Sequence, residues 1–410
     1  MSEHTFRRNG WPTIGVEVEL QLVDAESMGL RSAIAEVLSE VPADLHHSVK
    51  PEFMQCYVEI NTGVCRTVDE VEADLTTKIR AVERAADRRG VRLFWAATHP
   101  FSYWRDQEIT PNERYYQLAD WLQETVVRPV TFGLHVHVGV DSGDKAIQVG
   151  RRIQRYLPLL LAMSANSPFW HGRMTGHHAH RIEVLEGFPT GGLMPALGSW
   201  AEYLELVDRM KAAGFIDSHR ELWWDVRPSA ENGTIEVRIC DMPADLRDVL
   251  GLTAMIQCLV RSLSDEIDRG LTTPEPHPLM IRQNRWRACR FGMGAELVDP
   301  NTMEALPARQ AAEALIRRLG KLSGFLGCRR HLGHALDMAA QPTGSERQIA
   351  LAEEVGDLVE VVRRLTEQSQ LSADPAKVTP RGSLAGFVGK AGDWPASSMR
   401  SSLPPGVPTL

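Results

Sequence analysis

Residues 13–22 read Thr-Ile-Gly-Val-Glu-Val-Glu-Leu-Gln-Leu, with apolar residues alternating against acidic or polar ones. A period of two is the signature of a β-strand with one buried face. Glu17 and Glu19 then project from the same side, their Cβ atoms about 7 Å apart. Like charges held that close repel unless a cation sits between them. A hard divalent ion suits the pair, because it takes oxygen ligands. A lone Glu-x-Glu is more often a solvated strand face, and recurrence of the pattern is what points to a cation.

The pattern recurs. His135/His137, Asp225/Arg227 and Glu236/Arg238 repeat the two-residue spacing in three further strand-like segments, and Glu59 adds a fifth. Burying so many charges unpaired would cost several kcal/mol each. Metal ions and a charged substrate are what make such a face tolerable. Carboxylates with a single histidine suit magnesium, with manganese an alternative. Arginines one step from a carboxylate suit a phosphate held by the same metal. No Gly-x-x-x-x-Gly-Lys-Ser/Thr loop is present, which excludes a P-loop protein.

Alternation predicts strands at 13–22, 55–62, 91–97, 131–140, 222–228 and 234–241, the last two joined by a hairpin turn ending in Asn232-Gly233. Helical periodicity covers 32–39, 67–90, 112–127, 145–165, 200–213, 246–269 and most of the chain to about 368, with 345–367 read as one helix. Residues 167–192 read as a loop rich in Gly, His and Pro. These elements imply an α+β fold with a largely antiparallel sheet flanked by helices. One domain is expected over 13–395, mainly helical from about 246, between an arm at 1–12 and a flexible tail at 396–410.

The 410 residues carry a formal net charge of -8, which offers no basic footprint for nucleic acid or anionic lipid. No apolar run is long enough to span a bilayer, and the N-terminus lacks a signal-peptide core. The six cysteines form no C-x-x-C pair, so zinc-knuckle and redox spacings are absent. A cytoplasmic protein acting on small molecules is expected, with an isologous dimer as the default assembly.

Several segments resemble the carboxylate–amine ligase branch of the glutamate–cysteine ligase type 2 family. They are Gly15-Val-Glu-Val-Glu-Leu20, Val58-Glu-Ile-Asn-Thr-Gly-Val-Cys-Arg66, Gly133-Leu-His-Val-His-Val-Gly139, Trp224-Asp-Val-Arg-Pro228, Thr234-Ile-Glu-Val-Arg-Ile-Cys-Asp241 and Asn284-Arg-Trp-Arg-Ala-Cys-Arg-Phe-Gly292. Shorter matches at Thr98–Phe101, Asn112–Tyr115 and Ser167–Trp170 keep the same order, from about residue 13 to 394.

The resemblance implies a glutamine-synthetase-like catalytic domain whose curved sheet forms a funnel. It implies ATP and two or more Mg²⁺ ions, with Glu17, Glu19, Glu59, His137 and Glu236 as metal ligands. Glu19, Glu236 and Arg238 would hold the nucleotide through the metal, and Arg238 would lie beside the transferred phosphate. Arg238, Glu59 and Arg227 are the expected catalytic set. The reaction implied is amide formation between a carboxylate, glutamate or an analogue, and an amine, cysteine or another, through an acyl phosphate. A metal-dependent amide hydrolase on the same scaffold is the alternative.

Arg181, Arg227, His135, His99, Arg114 and Tyr115 are candidate substrate contacts. Glu52 reads as a solvated carboxylate. One loop departs from the family pattern: Met174 stands where an acid is usual, and His177, His178 and His180 crowd the approach to Arg181. Those histidines read as solvated side chains titrating near neutral pH, or as transition-metal ligands.

Overall fold

The computed structural model describes residues 5–272 and 274–371. The expected tail at 396–410 lies outside them. Nine strands concern the site: β1 (Ile14–Asp24), β2 (Val49–Pro51), β3 (Tyr57–Asn61), β4 (Val91–Phe94), β5 (Leu134–Gly139), β6 (Phe169–Trp170), β7 (Arg173–Met174), β8 (Val226–Ser229) and β9 (Thr234–Val237). Seven of them form one antiparallel sheet in the order β2-β3-β1-β5-β9-β8, with β4 also paired to β1. β6 and β7 form a separate hairpin.

β1 organises the sheet because its 11 residues are long enough to serve three partners. Its first half pairs with β5 and its middle with β3, while its end turns to β4. Residues opposite one another in an antiparallel pair share a face. Val16, Val18, Leu20, Ile60, Leu134, Val136, Ile235 and Val237 therefore all point one way, and each is at most 1% exposed. This face packs against the helices Val68–Asp87 and Leu246–Asp268.

Both helices have the sequence features that start and orient them. Thr67 caps the first by accepting from Glu70 N, and Asp245 caps the second by accepting from Asp248 N. Val68, Val71, Leu75, Ile79 and Val82 then fall on one stripe and are fully buried. Each such side chain contributes about 1.5–3 kcal/mol of transfer free energy. The other face of the sheet is left free for polar groups.

Three helices expected as continuous are broken, each for a local reason. The segment 112–127 divides at Gln123, which adopts φ +50. The segment 145–165 becomes Gly143–Ile153 and Leu157–Ser164 joined by a 3₁₀ turn, with Pro158 opening the second helix. The segment 345–367 ends its first helix at Gly356 in the left-handed region and restarts with Asp357 capping Val359 N. From Leu246 onward the regular elements of the described residues are helices, apart from a small hairpin, Glu296–Val298 with Ala305–Pro307.

Residues 167–192 are not simply loop. They contain the β6–β7 hairpin, turned by His171 at φ +51 and Gly172 at φ +79, and a helix, His180–Leu185. The two-residue strands and the six-residue helix are too short to leave a periodic trace in the sequence.

Candidate active site

Strand register brings the charged residues together. Glu19 lies opposite Glu59, and Glu17 lies between Asn61 on β3 and His135 on β5. His137 lies opposite Glu236, which in turn faces Arg227. Three rows of polar side chains thus cross the sheet on the face away from the helices. They line one cavity of about 640 Å³.

The two imidazoles are each held on one nitrogen. His135 Nδ1 stands 3.2 Å from Glu17 Oε2, and His137 Nδ1 stands 2.9 Å from Thr234 Oγ1. The Nε2 atoms of both rings are buried and have no hydrogen-bond partner among the described residues. His137 Nε2 points at Glu17 Oε1 (3.4 Å) and Glu236 Oε1 (3.8 Å). An orphaned imidazole nitrogen aimed at two carboxylates is the arrangement a metal ligand shows. One donor atom each from Glu17, His135 and Glu236 also lies within 4.8 Å of the others. His135, read from sequence as a substrate contact, is therefore placed equally well to touch a cation.

Electrostatics divide the acids into two groups. Burial would raise Glu17, but the neighbouring His135 and His137 imidazoles bring it well below the usual carboxylate range. Glu236 is 1% exposed, yet Arg227 and Arg238 outweigh burial and hold it ionised. Arg227 Nε donates to Glu236 Oε2 at 3.0 Å, and Arg238 Nη1 donates to Glu236 Oε1.

At the β3 end the balance reverses. Burial, then the charge of Glu17, raises Glu59. Glu52 is raised further, by burial and by the neighbouring Glu59, Glu19 and Glu17. Sequence reasoning left Glu52 in solvent, because it sits just outside an alternating strand. The turn after β2 instead brings it against Glu59. Five carboxylates on one wall are thus short of positive charge at one end. Hard divalent ions fit that oxygen-rich donor set.

Cations ring the other side. Arg181 is 5% exposed and its guanidinium lies flat over Gly133, where an added Cβ would come within 2.3 Å of Nη2. Its backbone N–H donates to Ser167 Oγ at 3.0 Å, and that hydroxyl donates to buried Asp241 at 2.6 Å. Arg227 does not pair with Asp225, its partner by sequence spacing. Asp225 Oδ2 instead stands 2.8 Å from Arg285 Nε, which also binds Glu186. Arg285 lies in the Asn284–Gly292 motif, to which the sequence alone assigns no role.

The far wall comes from the helix Glu113–Leu122. Arg114 reaches Glu221 (3.6 Å), and Tyr115 meets Phe53 edge-on at 5.4 Å. Glu17, Glu19, Glu59, His135, His137, Arg181, Arg227, Glu236, Arg238, Arg114 and Tyr115 therefore all line the cavity. His99 does not. It is 1% exposed, with Nε2 bonded to Met28 O and Nδ1 accepting from the N–H groups of Phe101 and Ser102. Burial drives it down to about 3, so it is a neutral residue that holds the turn and is not part of the cavity lining.

The fold and the sequence both have known counterparts. "Putative glutamate--cysteine ligase 2" of Gloeobacter violaceus is 41% identical over 88% of this chain and 97% of its own. The protein of the same name from Thermobifida fusca is 38% identical over 88% of this chain and 92% of its own. Among solved structures, the glutamate–cysteine ligase of Francisella tularensis in complex with AMP matches with TM-score 0.63 at 12% identity, covering 90% of this chain and 91% of that one. A bifunctional glutathione synthetase from Pasteurella multocida also gives TM-score 0.63 at 12% identity, with 87% of this chain covering 52% of that longer one. At that identity the structures show a shared fold. The model of glutamate-cysteine ligase family 2 (GCS2) matches residues 13–367. With its strand register, its acid-lined cavity and these relatives in agreement, the chain belongs to glutamate-cysteine ligase family 2.

Proposed function

We propose that this chain is an ATP- and magnesium-dependent ligase that joins a carboxylate, glutamate or an analogue, to an amine. The observation that carries the reading is one cavity with five carboxylates and two half-satisfied imidazoles on the sheet, ringed by Arg181, Arg227 and Arg238. The relatives' name supplies the reaction class.

Glu17, Glu19, Glu52, Glu59 and Glu236, with His137, are the residues that would hold Mg²⁺. Bound there, the metal would supply positive charge to neutralise the triphosphate and polarise the transferred phosphoryl group. Arg238, anchored on Glu236, offers its remaining N–H groups to that phosphoryl group as it moves to the carboxylate. Loss of such a donor costs about 10²–10³ in rate. Arg227 fixes Glu236 from the opposite strand, so the ligand's geometry is set before substrate arrives. Arg181, pressed onto Gly133, presents a fixed cation to an anionic substrate group. The amine then attacks the acyl phosphate, giving the amide and phosphate.

The test is product analysis with ATP, Mg²⁺, glutamate and a panel of amines. ADP release should require both a carboxylate and an amine. Release that depends on neither contradicts the reading. Amide cleavage without nucleotide would establish the hydrolase alternative.

A further inference from the structure

The histidine-rich segment before Arg181 takes no part in the chemistry above, and its geometry is unusual. The His177 and His180 rings are nearly parallel, at 9°, and meet edge to edge with 5.6 Å between centroids. Their Nδ1 atoms stand 3.4 Å apart. Two nitrogens each about 2.05 Å from a tetrahedral ion are separated by about 3.3–3.4 Å, so the pair already has the bite of a two-imidazole metal chelate. We propose that His177 and His180 form a second, transition-metal site, with Glu183 as its third ligand, selective for Zn²⁺-like ions over Mg²⁺.

Spacing supports the third ligand. Glu183 follows His180 by three residues on the helix His180–Leu185, so both occupy one face. Its charge is felt at His177, and its Oε1 lies 3.5 Å from Cys289 Sγ. Rotation of that carboxylate from the thiol toward the imidazoles would supply the anionic donor. Both rings are half-buried, open enough for an ion to enter.

The electronic state is also suitable. Burial lowers His177, and burial followed by the charges of His177, Arg128 and Arg173 lowers His180 to about 4. Both imidazoles are therefore neutral at neutral pH, the form that binds metal. This departs from the sequence expectation of histidines titrating near pH 7. Arg128 and Arg173 beside His180, and Arg290 beside His177, oppose a dication, and Glu183 offsets them in part. A bond to nitrogen is thus needed, which borderline ions make and Mg²⁺ does not. Occupancy would tie His177 to the helix that carries Arg181.

His177 and His180 do not line the carboxylate cavity, and the test reads binding, so its failure leaves the ligase reading intact. Co²⁺ is titrated into the full chain with Mg²⁺ saturating, followed by visible absorption and calorimetry. One equivalent should bind with a nitrogen-ligated spectrum and be displaced by Zn²⁺. His177→Ala and His180→Ala should each weaken binding at least ten-fold, with unchanged melting temperature for His177→Ala. Glu59→Gln, in the cavity, should leave it unchanged. Equal affinity in wild type and both histidine variants, or loss of binding only in Glu59→Gln, overturns the proposal.

Discussion

Arg227 and Glu236 face each other across the β8–β9 ladder, Nε to Oε2 at 3.0 Å, with the carboxylate only 1% exposed. A buried carboxylate keeps its charge only through such partners. Arg227→Ala should therefore destabilise the protein by roughly 2–4 kcal/mol, despite the second clamp from Arg238. Urea unfolding at neutral pH measures it. A variant as stable as wild type would mean the pair contributes nothing.

Glu59 shares the crowded end of the site with Glu52, Glu17 and Glu19. Without metal, that crowding is repulsive. Glu59→Gln should leave the melting temperature in chelator unchanged or slightly raised. It should also abolish the rise that Mg²⁺ gives the wild type, because stabilisation by a ligand follows its affinity. Scanning calorimetry with and without Mg²⁺ separates these effects. A normal Mg²⁺ shift in the variant would remove Glu59 from the ligand set.

Glu52 and Glu59 carry raised pKa values, through burial and then through neighbouring carboxylates, so they retain protons that free carboxylates would lose. Metal binding must displace those protons. Mg²⁺ affinity should then fall as pH drops, and binding should release protons. Calorimetry in two buffers of different ionisation enthalpy gives the number released, and an apparent enthalpy independent of buffer would contradict the assignment.

Burial pushes Asp241 up to about 6, against the pull of Arg181 and the Ser167 hydroxyl. Its folded pKa lies above the unfolded value, so the folded state binds the extra proton. Stability from this group is present below about pH 4 and is lost as pH rises to about 6, by about 3 kcal/mol in total. Asp241→Asn should remove that slope. The stability of the variant relative to wild type should improve between pH 4 and 6 and stay level above it. Parallel curves across that window would show that Asp241 does not titrate there.

The sequence revealed most of this site because strand alternation is strict. Once Glu17, His137 and Glu236 lie on strands with period two, their side of the sheet follows, and antiparallel pairing sets them opposite one another. Local pattern does not reach groups placed by turns. Glu52 leaves no periodic trace, and only the fold shows it beside Glu59. Asp225 and Arg227 stand two residues apart in sequence, yet the cross-strand neighbour Glu236 holds the arginine and the distant Arg285 holds the aspartate. His99 lay in a family motif, but the motif serves the turn: its ring is consumed by Met28, Phe101 and Ser102. The segment 167–192 hid a helix because six residues are too few for a 3.6-residue period to register.

The polar face of β1, β3, β5 and β9 is expected to hold divalent cations that grip a triphosphate. Anomalous diffraction from crystals grown with Mn²⁺ and a non-hydrolysable ATP analogue tests it most directly. The account predicts manganese peaks bounded by Glu17, Glu19, Glu59, His137 and Glu236, with the phosphates reaching Arg238. Manganese absent from that face, or a nucleotide bound elsewhere on the molecule, would contradict it.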